Sequence, residues 1–90
     1  MEIEYDEAKR LKIISERGLD LRDAAKVFES AHVEVADLRR DYGEQRFRVW
    51  GYLNGKRVSL VWPPRDGRKR IITMRHAHEE EHKARRATLD

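Results

Sequence analysis

This sequence predicts an α+β fold in which an N-terminal helical hairpin packs on a small antiparallel sheet and a C-terminal helix follows. Three observations lead there. Two runs rich in β-branched and aromatic residues flank Asn54-Gly55, a pair that tolerates the positive φ angles of a type I′ hairpin turn. A third such run follows Pro63-Pro64-Arg65-Asp66-Gly67, so Gln45 to Arg75 reads as a three-stranded meander. Upstream, Leu21, Ala24, Ala25 and Phe28 recur at i, i+3, i+4 and i+7, the spacing of a helix with one apolar face.

Taken in order, Met1 to Tyr5 alternates weakly, as a short edge strand would. Asp6 is a candidate N-cap, Glu7 suits the positive end of the helix dipole, and the helix should run to Arg17 and stop at Gly18. Its expected buried stripe is Ala8, Leu11 and Ile14. Asp20 caps a second helix through Glu29, and the pair makes a hairpin able to cover a sheet. His32 to Asp37 reads as a further strand, and Arg39 to Gly43 as a polar loop. From His76 to Thr88 a last helix is expected, with a thin stripe of Ala77, Ala84 and Ala87. Its Glu79–Lys83 and Glu81–Arg85 spacings suit i,i+4 ion pairs, each contributing about 0.2–0.5 kcal/mol.

Strand alternation sorts the meander into two faces. Phe47, Val49, Leu53, Val58, Leu60, Trp62, Ile72 and Met74 fall on one. Arg46, Arg48, Trp50, Tyr52, Arg57, Ser59, Val61, Lys69, Ile71, Thr73 and Arg75 fall on the other. The first set is a core. The second could hold a polyanion, because guanidinium forks match phosphate oxygens and aromatic rings stack on bases. A plain solvated sheet face accounts for the same alternation.

Ninety residues suffice for a single small domain with one modest core, spanning 1–90. Charged residues make up 41% of the chain, but they alternate with apolar ones at structural periods, which favours a folded domain. The net charge is only +3, so cationic character matters through placement, and the meander holds a disproportionate share of it. There is no cysteine, hence no disulfide framework and no thiolate chemistry. Neither a signal peptide nor a membrane-spanning apolar run is visible, which predicts a cytoplasmic protein without a membrane partner.

His78-Glu79-Glu80-Glu81-His82 matches the H-E-x-x-H pattern of zinc proteases, in which two histidines one turn apart bind the metal. A helix this rich in His and Glu produces the match by composition alone, and a third ligand is not evident. No nucleophile-elbow serine, P-loop or dinucleotide glycine pattern occurs.

The succession Tyr5-Asp6-Glu7-Ala8-Lys9, Arg17-Gly18-Leu19, Asp23-Ala24-Ala25-Lys26-Val27-Phe28, Gly43-Glu44-Gln45-Arg46-Phe47 and Arg70 to Ala77, with Gly51 and Glu81, resembles the BrnT family of bacterial type II toxins. The resemblance covers nearly the whole chain. It implies a RelE-like fold and an endoribonuclease that cleaves RNA with no metal and no cofactor. It also implies a BrnA-like antitoxin as partner, through which alone DNA would be reached. On that reading Arg46 and Arg75 contact the scissile phosphate, with Glu44 a candidate general base and His76 a candidate acid. Arg48 and Lys56 would hold the RNA backbone, and Trp50 or Tyr52 would stack a splayed base. The chain departs from the family pattern at Glu16-Arg17, at Thr73-Met74 and at the acidic His78-Glu79-Glu80. A non-catalytic module that binds nucleic acid or protein through the same face remains the alternative.

Overall fold

The computed structural model describes residues 2–89, with side chains from 2 to 85. Met1 and the side chain of Ala87, expected on the last helix's apolar stripe, lie outside the described residues. The strands are β1 (Ile3–Glu4), β2 (Val33–Ala36), β3 (Phe47–Leu53), β4 (Lys56–Trp62), β5 (Pro64–Arg65), β6 (Arg68–Arg70) and β7 (Thr73–His76). The helices are α1 (Glu7–Arg17), α2 (Ala24–Glu29) and α3 (Glu79–Leu89), with a 3₁₀ turn at Leu21–Asp23 before α2. An antiparallel sheet of order β2-β3-β4-β7 carries the core, and a small sheet of order β1-β6-β5 abuts it.

The cap residues act as the sequence indicates. Asp6 accepts a hydrogen bond from the Lys9 amide at 3.0 Å, and Gly18 ends α1 in the left-handed region at φ 68°. Asp20 accepts from the Arg22 amide and starts the 3₁₀ turn. Asn54 and Gly55 both take positive φ, which closes the β3–β4 hairpin without splaying its strands.

The inward face of α1 differs from the expected stripe. Leu11 is 56% exposed and Ala8 is also exposed, whereas Ile13 is buried. The reason is polar anchoring. Arg17 donates to the Met74 carbonyl at 2.9 Å and to Thr73 Oγ1 at 3.1 Å, while Arg10 donates to Asp20 at 2.9 Å. Arg10, Ile13 and Arg17 stand at i, i+3 and i+7, so these two arginines turn Ile13 toward the sheet and leave Leu11 outside.

The third strand of the expected meander is divided in two. Arg68–Arg70 leaves the main sheet to pair with Pro64–Arg65 across a second positive-φ turn, Asp66-Gly67, and runs parallel to β1. The Ile71 amide still donates to the Glu4 carbonyl, but that of Ile72 donates to Val61, and β7 then continues beside β4. This transfer between sheets breaks strict alternation. Ile71 and Met74 are therefore both buried in the core, Ile72 is only half-buried, and Lys69 lies over the Phe28 and Trp62 rings on the helix side.

The core itself follows the parity argument. Val49, Leu53, Val58, Leu60, Trp62, Ile71 and Met74 pack against Ile13, Leu21, Ala24 and Val27. Gly51 marks the closest approach of sheet and helix. A Cβ there would lie 2.9 Å from both Val27 Cγ1 and Ser30 Oγ. Ser30 Oγ donates to the Val27 carbonyl and accepts from the Tyr52 amide, tying the end of α2 to β3. α3 crosses the opposite face over β2 and β3.

Candidate nucleic-acid interface

The face turned away from α1 and α2 is fixed by register. Trp50 stands opposite Ser59, and Ser59 opposite Arg75; one step along, Arg48 stands opposite Val61, and Val61 opposite Thr73. β2 adds Val33 beside Trp50 and Val35 beside Arg48. Arg48, Trp50 and Arg75 thus project to the same side from two strands.

α3 is fastened over this face by one carboxylate. Glu81 accepts from Trp50 Nε1 at 2.9 Å and from both terminal nitrogens of Arg75, at 3.1 and 2.5 Å. Glu81 is also the third residue of the helix, the position from which a capping box reaches back to the helix start. The Arg75 bond above all holds Glu81 at a pKa of about 2; burial opposes that shift, and the Trp50 bond adds to it. The expected Glu81–Arg85 pair gives way to this arrangement, and Arg85 instead lies with Cζ 4.8 Å from the Trp50 ring centroid. Arg48 Cζ is 4.6 Å from the same centroid. Trp50 is fully buried.

Guanidinium groups crowd here. Arg48 has its pKa lowered by partial burial first, then by the charges of Arg39, Arg85 and Arg75, against a compensating pull from Asp37. Asp37 is itself buried and is held at about 2, chiefly by the side-chain hydrogen bond from Arg39. The face therefore gathers Arg39, Arg48, Arg75 and Arg85 against two carboxylates that are already committed. Like charges brought this close favour an anionic ligand.

The residues singled out in the sequence divide among three places. Arg75 and Arg48 lie in the cluster, with Tyr52 beside it, its ring against that of His82 at 4.8 Å. Trp50 supports the cluster from below and presents no ring face for a base to stack on, because it is fully buried beneath α3. Arg46 shares the face by alternation, yet sits four residues before Trp50 on the same strand direction, about 13 Å away at the strand rise. Its guanidinium contacts Glu44 at 3.0 Å and the Tyr42 ring at 4.1 Å. Glu44 also accepts from Arg65, and the Arg46 hydrogen bond is the main reason its pKa is lowered. His76 and Lys56 are on the other side of the sheet, in a cleft of about 350 Å³ beside Arg17, where His76 Nε2 lies 3.1 Å from the Arg17 carbonyl. Adjacent strand residues point to opposite faces, so His76 and Arg75 are kept apart.

Sequence reasoning missed Arg39 and Arg85. Arg39 belongs to a loop without periodicity, and Arg85 matters only because α3 packs by polar contacts that a hydrophobic stripe does not reveal. His82, from the H-E-x-x-H string, is 2% exposed with Nε2 3.2 Å from the Gly51 carbonyl, while His78 is exposed. The two rings do not converge on an open site. Among the described residues no group of three His, Cys, Asp or Glu side chains is placed to hold a metal ion, and no helix is long and apolar enough to cross a membrane.

A small α+β domain with a helix-backed sheet and an arginine-crowded second face is a domain able to accept a polyanion. The chain belongs to the BrnT family, described as the ribonuclease toxin of type II toxin-antitoxin systems, whose sequence model matches residues 5–81. Comparison with curated proteins gave no significant match. Membership makes the protein a ribonuclease toxin at the level of the family, which implies an RNA substrate and an antitoxin partner.

Proposed function

We propose that this protein is a metal-independent endoribonuclease with a RelE-like fold, in which Arg75 and Arg48 stabilise the scissile phosphate, and that a BrnA-like antitoxin neutralises it and provides the only route to DNA. The observation that carries this reading is the convergence of Arg48, Arg85 and Arg75 around Trp50 on one face of the sheet, two of them over its ring and Arg75 sharing Glu81 with its indole nitrogen. RNA brings its own nucleophile, the 2′-hydroxyl. The protein's task is then to hold the strand in line and stabilise charge building on the phosphorane oxygens, which fixed guanidiniums do without reorganisation. Arginine remains protonated, so these residues supply charge and hydrogen bonds and do not act as a base.

The composition of the cluster supports metal independence. Guanidiniums repel a divalent cation, and the nearest carboxylates, Glu81 and Asp37, are each bound by an arginine. Arg75 is positioned for two states: paired with Glu81 when the site is empty, or shared with a phosphate when RNA is bound. Arg46 contributes at the margin of the face rather than at its centre.

The test is cleavage of single-stranded RNA by the wild type and by the Arg48→Ala/Arg75→Ala double variant, with folding followed by circular dichroism. Removing one preorganised donor to developing charge typically costs about 10²–10³ in rate, so the double variant should fold and fail to cut. EDTA should leave the wild type unaffected. Undiminished cleavage by the double variant would exclude the proposed site, and RNA that is retarded but never shortened would establish a binding module instead.

A further inference from the structure

A second aromatic and cationic cluster lies on the loop that leads into β3. Tyr42 has Arg40 Cζ 5.0 Å and Arg46 Cζ 4.1 Å from its ring centroid, and it remains partly exposed. The loop presenting it is set by a local turn: Gly43 takes φ 71° and donates its amide to Asp41 Oδ1 at 2.8 Å. The carboxylates nearby are mostly occupied. Glu44 bridges Arg46 and Arg65, and Asp37 holds Arg39. Among the described residues Arg40 has no carboxylate partner, so its guanidinium rests on the ring uncommitted.

The two clusters are joined. Asp37 links them: its carboxylate holds Arg39 at 2.8 Å, and its amide donates to the Arg46 carbonyl at 2.8 Å. Along one edge the surface therefore runs from Arg40, Tyr42 and Arg46 through Arg39 to Arg48, Arg85 and Arg75. Cationic groups that follow a backbone, interleaved with rings that accept bases, are what single-stranded nucleic acid requires. A duplex would need none of the rings, because its bases are already stacked.

We infer that Tyr42, with Arg40 and Arg46, forms a second nucleotide subsite, holding one base and its phosphate of single-stranded RNA a few nucleotides from the bond cut at Arg75 and Arg48. This inference rests on the ribonuclease reading for the identity of the strand. It gives Arg46 a role that fits its place about 13 Å along the strand from Trp50. It also makes a prediction the central cluster does not: longer single strands bind more tightly than short ones, and the gain depends on Tyr42.

The experiment compares a trinucleotide, a decanucleotide and a duplex, all 2′-deoxy at the cleavable positions, by fluorescence anisotropy, alongside kcat and KM on cleavable counterparts. Base stacking on an aromatic ring contributes about 1–3 kcal/mol, so Tyr42→Ala should weaken decanucleotide binding by about 5- to 150-fold. Trinucleotide binding, duplex binding and the kcat of the decanucleotide should stay near wild type. Tyr42→Phe should restore the affinity, and Arg40→Ala should reproduce part of the loss. Decanucleotide affinity unchanged in Tyr42→Ala, or an equal loss on the duplex, would overturn the subsite. Failure of the wild type to shorten any RNA would overturn the ribonuclease reading instead, while a Tyr42-dependent length effect would still establish the subsite.

Discussion

The two faces of the four-stranded sheet are covered by opposite means. On one, α1 and α2 bury Ile13, Leu21, Ala24 and Val27 against Val49, Leu60 and Met74. On the other, α3 is held by Glu81, by the His82 ring against Gly51 and Tyr52, and by Arg85 over Trp50. Apolar burial is non-directional and insensitive to pH, whereas the second set depends on charge and geometry. Apolar packing is thus concentrated behind the sheet, and the arginine cluster lies in front of it.

That contrast can be broken most severely from the apolar side. Leu60→Ala removes a fully buried side chain from the middle of the core and should cost about 2–5 kcal/mol, measured by denaturant unfolding. Gly51→Ala would place a methyl 2.9 Å from Val27 and Ser30 in a packed layer, costing about 1–3 kcal/mol and lowering the melting temperature.

The polar side should respond to pH, and so should the Arg10–Asp20 pair in the helical hairpin behind the sheet. Glu81, Asp37 and Asp20 are each held at about 2, against ordinary carboxylate values of 3.8 to 4.5. For Asp20, burial acts upward and the bonds from Arg10 and Arg22 outweigh it. A carboxylate depressed in the folded state stabilises fully above its unfolded pKa and loses that contribution as pH falls toward its folded one. The melting temperature should accordingly hold between pH 7 and about 5 and fall between about 4.5 and 2. Glu81→Gln should remove part of that acid-dependent loss and lower stability at neutral pH by about 1.5–3 kcal/mol, the range for hydrogen bonds to charged groups. An acid profile identical to the wild type would show that Glu81 does not hold α3. The smallest effect belongs to the outer surface of α1, where Leu11→Ser should change stability by no more than about 0.5 kcal/mol because the side chain is already exposed.

How much of this could be read beforehand depended on the kind of force involved. Asp6, Gly18, Asp20 and Asn54-Gly55 announced their turns because each acts through its own backbone. The core parity of Val49, Leu53, Val58, Leu60 and Trp62 was legible because a single buried face imposes alternation. The inward face of α1 was not, since Arg10 and Arg17 decide it through partners distant in the chain. The division at Ile71-Ile72 was also hidden, because no glycine, proline or other turn residue separates Arg70 from Thr73 to mark the passage between sheets. Within the site, Arg48 and Arg75 were visible on one face, while the burial of Trp50 and the separation of His76 follow from α3 and from register.

The parallel pairing of β1 with β6 has a bearing on how the protein matures. Ile3 meets Lys69, and Arg17 meets Met74, so both contacts join the opening stretch of the chain to its last third. Closing so large a loop is entropically slow and must precede any reward from the contacts it allows. Arg75 is carried by β7, which pairs with its neighbour β4 and is braced from behind by Arg17 at the Met74 carbonyl. The arginine face can therefore assemble from the meander alone, and the opening stretch of the chain serves to stiffen it.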